Sequence, residues 1–193
     1  MNSFHADREL YEAGWQNSEQ LLCILREIEA NASQGKMMAL TGGVCSGKTT
    51  TLSYLRKTLA EKGEVGVAQS LSIDKEHLSL ATLMLELFYD LAMEKGVVVP
   101  NKLGKRELAL RELIKARGKP VILFIDDAHD LPKKTLADLA QFMERIRSAG
   151  CILSVVLAGK PGLQDHLGDQ AMLFPLENTY DVIHKTLPEI KAG

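Results

Sequence analysis

A glycine-rich segment that ends in lysine and threonine is the part of this sequence best equipped for chemistry. Residues 42–49 read Gly-Gly-Val-Cys-Ser-Gly-Lys-Thr, which fills every position of the pattern G-x-x-x-x-G-K-[ST]. The glycines of such a segment let successive backbone N–H groups turn toward phosphate oxygens, and a following helix adds partial positive charge. The segment therefore predicts a phosphate-binding loop, the alternative being a chance glycine-rich turn.

The side chains of this loop have distinct expected roles. Lys48 is expected to reach the β- and γ-phosphates of a nucleotide, and Thr49 to place its hydroxyl on Mg²⁺. Cys45 is either a small side chain tolerated in the loop or a thiol whose oxidation would block the nucleotide. The predicted phosphate-binding set is Gly42, Gly43, Val44, Cys45, Ser46, Gly47, Lys48, Thr49 and Thr50.

An acidic pair follows an apolar run about 75 residues beyond the loop. Residues 121–125 are apolar at every position and lead into Asp126 and Asp127, as in a Walker B element. Asp126 is the expected Mg²⁺ ligand, and Asp127 is expected to orient the attacking water. Because an aspartate is one methylene shorter than the glutamate often found at the second position, slower hydrolysis is expected. The alternative is a solvated acidic turn, and His129 and Asp130 read as polar loop residues.

The elements that must position these motifs alternate along the chain. Predicted strands cover 37–40, 65–68, 121–125, 151–158 and 171–176, and predicted helices cover 18–32, 50–62, 79–94, 103–116, 133–149 and 177–187. The fully apolar runs 121–125 and 151–158 are typical of strands buried on both faces of a parallel sheet. The pattern predicts an α/β three-layer sandwich with about five mostly parallel strands.

The composition limits the classes of protein to consider. The 193 residues allow one domain with a sizeable core, and the net charge of −2 gives no global basic field for nucleic acid. No apolar run approaches the roughly 20 residues of a membrane span, and the first residues do not resemble a signal peptide. The three cysteines, at 23, 45 and 151, are far apart and indicate reduced thiols, so a cytoplasmic location is expected.

Four segments together make the chain resemble the AAA+ ATPases of the ExeA/TnsC type, which include the transposition ATPases TnsC, TniB and MuB and the secretion-associated ATPase ExeA. They are residues 15–22, 40–50, 124–131 and 156–163. The last segment, Val-Leu-Ala-Gly-Lys-Pro-Gly-Leu, is the most specific because phosphate loops occur in many families. The resemblance implies ATP as the nucleotide, its hydrolysis, and assembly into a ring or filament with sites between subunits.

The resemblance also places a sensor residue and exposes departures from the family pattern. Lys160 stands at the sensor 1 position, where its cation either pairs with the γ-phosphate or lies in solvent as a loop lysine. No arginine follows Arg147, which leaves Arg145 and Arg147 as candidates for a finger acting on a neighbour, or as ordinary surface arginines. The expected organisation is an N-terminal segment (1–17), an AAA+ P-loop core (18–176), and a truncated lid with its tail (177–193).

A basic stretch gives the only local support for nucleic-acid binding. Residues 101–119 hold seven lysines and arginines against two glutamates. The stretch is either a duplex DNA surface that contacts the phosphate backbone, as the resemblance to TnsC-like filaments implies, or a solvated helix face. Three functions stay open: a DNA-linked transposition helper with a transposase partner, an ExeA-like assembly ATPase, and a non-hydrolysing nucleotide-gated adaptor.

Overall fold

The computed structural model describes residues 19–44, 46–92, 98–168 and 171–175. Five strands alternate with six helices over these ranges. The strands are β1 (Met37–Thr41), β2 (Gly66–Ser70), β3 (Val121–Ile125), β4 (Leu153–Gly159) and β5 (Ala171–Pro175). The helices are α1 (Glu19–Ala32), α2 (Lys48–Lys62), α3 (Leu80–Leu91), α4 (Leu103–Arg117), α5 (Lys133–Ser148) and α6 (Leu163–Leu167), and a 3-10 turn covers Ala128–Asp130.

The five strands form one parallel sheet in the order β2-β3-β4-β1-β5. In this order β1 lies between β4 and β5, and β3 lies between β2 and β4. Because all strands run the same way, their carboxyl ends meet at one edge, where ligands bind in open α/β sheets. The two segments that follow β1 and β3 are the predicted phosphate loop and the acidic pair.

Alternate residues of the central strands face two separate hydrophobic clusters. On β3, Val121, Leu123 and Ile125 pack with α3, α4 and α5, whereas Ile122 and Phe124 pack with α1 and α2. Strands β1, β3 and β4 are buried at every position, as a parallel sheet covered on both faces requires. The predicted three-layer α/β fold is confirmed.

The predicted helix ends agree with the structure to within a few residues. Helix α2 ends where Gly63 adopts a left-handed conformation (φ 69°), and its N–H bonds the carbonyl of Leu59 at 3.3 Å. Helix α3 starts after Ser79, whose hydroxyl accepts a hydrogen bond from the N–H of Thr82. It ends at Leu91, three residues before the predicted end at residue 94, which itself lies outside the described ranges.

The ends of two strands differ from the prediction. The fourth strand starts at Leu153, not at Cys151, because the N–H of Cys151 instead bonds the carbonyl of Ile146 and closes α5. Strand β2 extends to Ser70 beyond the predicted end at 68, since alternate positions of this edge strand are only partly buried and its last two residues are polar.

Some expectations fall on parts of the chain that the structure does not describe. They are the N-terminal segment 1–17, Cys45 and the lid-like helix predicted over 177–187. Across the ranges that are described, no helix is both long enough and apolar enough to cross a bilayer.

Candidate nucleotide-binding site

The glycine-rich segment forms a loop between β1 and α2 at the carboxyl edge of the sheet. Gly47 adopts a left-handed conformation (φ 80°), which glycine takes without a steric penalty, and α2 begins at the next residue. Its carbonyl accepts the N–H of Thr51 at 2.8 Å and the hydroxyl of Thr51 at 2.9 Å. The start of the loop is tied to β4, because the N–H of Gly42 bonds the carbonyl of Gly159 at 3.2 Å.

The ammonium of Lys48 lies against the loop. Its Nζ donates to the carbonyls of Gly42 at 3.0 Å and Gly43 at 2.5 Å, and to the hydroxyl of Ser46 at 3.3 Å. These contacts hold one positive charge beside the loop at the N-terminus of α2. A helix N-terminus and a flexible cation at the same place form an arrangement able to hold phosphate oxygens.

The hydroxyl of Thr49 and the carboxylate of Asp126 meet at the end of β3. The Thr49 Oγ1 atom donates to Asp126 Oδ2 at 2.6 Å, which joins side chains 77 positions apart in sequence. Hydroxyl and carboxylate oxygens are hard ligands of the kind that Mg²⁺ prefers, and Mg²⁺ usually takes one or two protein ligands together with phosphates and waters. The two side chains therefore suit Mg²⁺ bound together with a nucleotide.

The Thr49 and Asp126 oxygens suit a Mg²⁺ ion that also binds the nucleotide. Among the residues described, no group of three or more His, Cys, Asp and Glu side chains is arranged to hold a metal ion alone. A Mg²⁺ ion at Thr49 and Asp126 would thus depend on the oxygens of the nucleotide and of water.

Asp127 occupies an unusual backbone conformation. It is the one non-glycine residue with positive φ (49°) in the part of the chain that the structure describes. Its N–H bonds Asp126 Oδ1 at 2.9 Å, and its carbonyl accepts the N–H of Asp130 at 3.1 Å. Aspartate and asparagine tolerate this conformation better than longer side chains do. The backbone thus gives a physical reason for aspartate at this position.

The end of β4 packs against the turn that follows β3. A Cβ atom on Gly159 would lie 3.1 Å from the backbone nitrogen of His129 and 3.0 Å from Leu163 Cδ2, so glycine allows a close approach here. The next residue, Lys160, is exposed, and its carbonyl accepts the N–H of Leu163 at 2.9 Å. The structure thus brings the predicted sensor region beside the loop and the acidic pair, with Lys160 at the surface.

His129 is mostly buried in the same turn. Its side chain is 12% exposed and its Nε2 atom lies 3.5 Å from Asp130 Oδ1. The position fits a loop residue that packs against β4, as the sequence suggested.

A small cleft adjoins the Thr49–Asp126 pair. It has a volume of about 150 Å³. Its lining residues are Thr49, Leu52, Ser53, Arg56, Gln69, Phe124 and Asp126. A larger cavity of about 460 Å³ lies at the opposite, amino edge of the sheet, between α5 and the residues before β1. We assign the candidate site to the carboxyl edge, because the loop, the lysine and the acidic pair meet there.

The two candidate finger arginines both bind within their own chain. Arg145 Nε lies 3.1 Å from Glu107 Oε1, and its guanidinium lies 5.9 Å from the ring centroid of Phe142. Arg147 contacts Glu144 at 2.7 Å and the carbonyl of Gly35 at 2.7 Å. These contacts favour the interpretation of both residues as ordinary surface arginines.

Several cations of the basic stretch 101–119 make contacts within the chain. Arg106 bonds the carbonyl of Ala81 at 2.7 Å, Arg117 bonds that of Leu91 at 2.8 Å, and Arg111 pairs with Glu107. Lys119 donates to the carbonyl of Gly63 at 2.9 Å. Four of the seven cations thus serve packing or local pairing. The three that remain exposed are Lys102, Lys105 and Lys115.

Sequence reasoning missed Lys75, which lies in the segment between β2 and α3. Its residue surface is only 8% exposed, and its Nζ atom contacts Ser70 Oγ at 3.4 Å. Burial lowers the pKa of the Lys75 ammonium below its ordinary value, and the charges of Glu86, Asp126 and Asp127 oppose that shift. The residue stands in a polar run without apolar periodicity, so no sequence signal marks it as buried.

The same segment holds an exposed ion pair. His77 Nδ1 lies 2.9 Å from Asp74 Oδ2. The hydrogen bond to Asp74 raises the pKa of His77, and the hydrogen bonds from His77 lower the pKa of Asp74. Because both side chains lie in solvent, the pair is screened and adds little to stability.

Three features define a P-loop nucleotide-binding domain of the α/β class: the loop after β1, the Lys48 cation at the N-terminus of α2, and Asp126 after β3. The family model described as AAA domain matches residues 30–167. The chain belongs to this AAA family. No curated protein sequence matches it.

Solved structures share the fold at low sequence identity. Drosophila ORC bound to DNA superposes with a TM-score of 0.66 at 16% identity, over 87% of this chain and 46% of that one. Cdc6p from Pyrobaculum aerophilum gives a TM-score of 0.55 at 21% identity, over 80% and 43%. The Aeropyrum pernix ORC2 protein, in ADPNP–ADP complexes, gives 0.61 at 14% identity, over 86% and 50%. The chain spans half or less of the length of these structures.

Proposed function

We propose that the chain binds ATP with Mg²⁺ at the loop 42–49 and hydrolyses it slowly as a nucleotide-dependent assembly switch. The observation that carries this proposal is the 2.6 Å contact between Thr49 and Asp126, which joins the loop and the Walker B segment at one point. The glycine-rich loop and Lys48 hold the phosphates, and Thr49 and Asp126 hold Mg²⁺. Asp127 orients the attacking water. A Mg²⁺ ion held by these two residues would neutralise charge on the β- and γ-phosphates.

The slow rate follows from two features of the chain. The Asp127 carboxylate is one methylene shorter than that of glutamate, so its reach to a water is reduced. The two candidate finger arginines, Arg145 and Arg147, bind within their own chain, and an arginine directed at the transferred phosphate is worth about 10³–10⁵ in rate. A neighbouring subunit or a partner protein supplies that group in our proposal. ATP binding then favours assembly of a ring or filament.

Asparagine in place of Asp127 should remove turnover and keep binding. Asparagine tolerates the left-handed backbone at this position, so the fold of the turn is retained. Loss of a positioned general base typically costs about 10²–10⁴ in rate. Steady-state release of phosphate from Mg-ATP, together with the affinity for a fluorescent ATP analogue, measures both effects.

The matched control is Asp130→Asn, an exposed acidic residue in the same turn, which should keep its turnover. Turnover that survives in Asp127→Asn would contradict the role of Asp127. If the wild-type chain binds ATP tightly but shows no turnover with or without DNA, the non-hydrolysing adaptor becomes the better description.

Binding of duplex DNA is a second candidate function, within a transposition ATPase of the TnsC type. It rests on the three exposed lysines of the stretch 101–119, on the resemblance of four segments to the ExeA/TnsC group, and on the solved relatives described as bound to DNA. A surface of lysines without aromatic side chains contacts the phosphate backbone and reads no sequence. A transposase is the partner that this role implies. An ExeA-like assembly ATPase is the alternative without DNA.

Replacing Lys102, Lys105 and Lys115 together with glutamine should weaken ATP-dependent binding of duplex DNA. Each lost phosphate contact should reduce the slope of log K against log salt by about 1, so the triple variant should lose roughly 3. Fluorescence anisotropy with a labelled duplex at several salt concentrations measures the slope.

A triple variant of exposed lysines elsewhere, at positions 36, 57 and 62, serves as the charge-matched control and should keep the wild-type slope. Equal slopes in the two triple variants would show that the stretch 101–119 is not the DNA surface. Absence of any DNA binding by the wild-type chain with ATP would favour the ExeA-like alternative.

A further inference from the structure

Lys75 is a buried cation beside the candidate site that neither the phosphate loop nor the Walker B motif includes. Within the described ranges, the one hydrogen bond of its ammonium is a weak contact of 3.4 Å to the neutral hydroxyl of Ser70. Ser70 ends β2 and lies in register with Ile125, the residue before Asp126. The ammonium is therefore held at the carboxyl edge of the sheet, next to the strand that carries the acidic pair.

Neighbouring contacts fix the segment that carries Lys75. The N–H of Ser72 bonds Glu86 Oε1 at 2.9 Å, which ties the segment to α3. The buried hydroxyl of Thr135 bonds the carbonyl of Leu78 at 2.7 Å, which ties it to α5. The N–H of Leu78 also bonds the carbonyl of Lys75 at 3.1 Å. The position of Lys75 is thus set by contacts of its segment with α3 and α5.

The charges around Lys75 come from two sources. Lys75 Nζ contacts Ser70, which lies in register with the residue before Asp126. The charges of Glu86, Asp126 and Asp127 favour the protonated ammonium and so oppose the lowering of the Lys75 pKa by burial, with Glu86 the strongest of the three. Glu86 Oε2 is buried and has no hydrogen-bond partner among the described residues. One source is therefore a structural acid on α3, and the other is the acidic pair of the site. The Lys75 cation opposes the charge of both.

We propose that Lys75 is a positioning residue for the acidic pair, and that its charge sets how strongly Asp126 and Asp127 attract Mg²⁺ and how well Asp127 faces the nucleotide. This inference rests on the proposed ATPase function. A fixed cation near a metal site repels the metal, so it weakens Mg²⁺ binding. The same cation attracts the carboxylates and stabilises the negative charge of the transferring phosphate, so it favours turnover. Lys75 thus lowers the affinity for Mg²⁺ and raises the rate.

Methionine in place of Lys75 should therefore strengthen Mg²⁺ binding and slow turnover. The Mg²⁺ concentration that gives half-maximal binding of a fluorescent ATP analogue should fall roughly 3- to 10-fold, because one opposing charge is removed. The turnover number should also fall, by roughly 10-fold. Damage to the fold would instead weaken Mg²⁺ and nucleotide binding together with turnover. Lys57→Met, which removes an exposed lysine of α2, is the charge-matched control and should change neither quantity.

A double variant separates the two sources of charge. Lys75→Met with Glu86→Gln removes one positive and one negative charge, so the balance with α3 is restored. If Lys75 serves only to neutralise Glu86, the double variant should recover the wild-type Mg²⁺ dependence and turnover, and that result would overturn the proposal. If Lys75 acts on the acidic pair, the double variant should keep both shifts. Because the double variant keeps the charge balance with α3, it provides the test if the single variant does not fold.

Failure of this inference differs from failure of the proposed function. If the wild-type chain does not bind the ATP analogue with Mg²⁺, the nucleotide-binding function itself is wrong. If it binds and Lys75→Met has the wild-type Mg²⁺ dependence, only the role of Lys75 is wrong.

Discussion

Replacement of Lys48 with alanine should weaken the binding of ATP by roughly 30- to 5,000-fold and remove measurable turnover. The ammonium is within 3.3 Å of three oxygens of the loop, so it lies where phosphate charge would be bound. Truncating one partner of a hydrogen-bonded charge pair costs about 2–5 kcal/mol, and each 1.4 kcal/mol is tenfold in affinity. Anisotropy of a fluorescent ATP analogue, titrated with protein in the presence of Mg²⁺, measures the change.

Lys57→Ala is the matched control for this experiment. Lys57 lies on the same helix with a side chain that is 78% exposed and 4.0 Å from Glu61, so its loss should leave ATP binding unchanged. Equal affinity for the nucleotide in Lys48→Ala and in the wild type would exclude the loop 42–49 as the phosphate site. Weakening of the same size in both variants would indicate that only the net charge matters.

The free energy of unfolding should fall by about 3–5 kcal/mol when Phe124 is replaced with alanine. The ring is 2% exposed and lies on β3 in the cluster formed with α1 and α2. A domain of this kind is stable by about 5–15 kcal/mol, so the loss is a large fraction of the total. Urea unfolding followed by circular dichroism should show a lower midpoint with an unchanged dependence on denaturant.

Two further variants test the cause of that loss. Phe124→Leu keeps much of the buried volume and should cost about 1 kcal/mol. Tyr89→Ala removes an aromatic ring that is 62% exposed and should stay within about 0.5 kcal/mol of the wild type. A cost for Phe124→Ala no larger than that for Tyr89→Ala would contradict the packing of β3 between two layers of helices.

The parts of the fold that burial dictates could be predicted from the sequence. Residues 121–125 are apolar at every position, and the strand occupies those residues because both faces are covered by helices. The phosphate loop could be predicted because glycine is required where φ is positive, as at Gly47. The ends of β2 and β4 were less predictable, since hydrogen bonds at Cys151 and partial burial of an edge strand leave no apolar pattern.

The parts that depend on packing between distant elements could not be predicted. The arginines of the stretch 101–119 read as a surface for nucleic acid, yet Arg106 and Arg117 bond carbonyls on α3. Those two contacts exist only because α4 packs beside α3, and no local sequence pattern predicts that packing. Lys75 is a second example, because its burial follows from the ties to Glu86 and Thr135 and not from its neighbours in sequence.

The order of the strands also determines when this protein can finish folding during its synthesis. The N–H of Lys36 bonds the hydroxyl of Ser154, which lies 118 positions later, and β1 pairs with β4 and β5. Because a ribosome adds about 5–20 residues per second, β1 is made roughly 6–24 s before β4, its first partner strand. The phosphate loop is tied to β4 through Gly42 and Gly159, so it closes only after β4 has been made. A nucleotide would therefore bind only after β4 has joined the sheet and would favour that folded state by mass action.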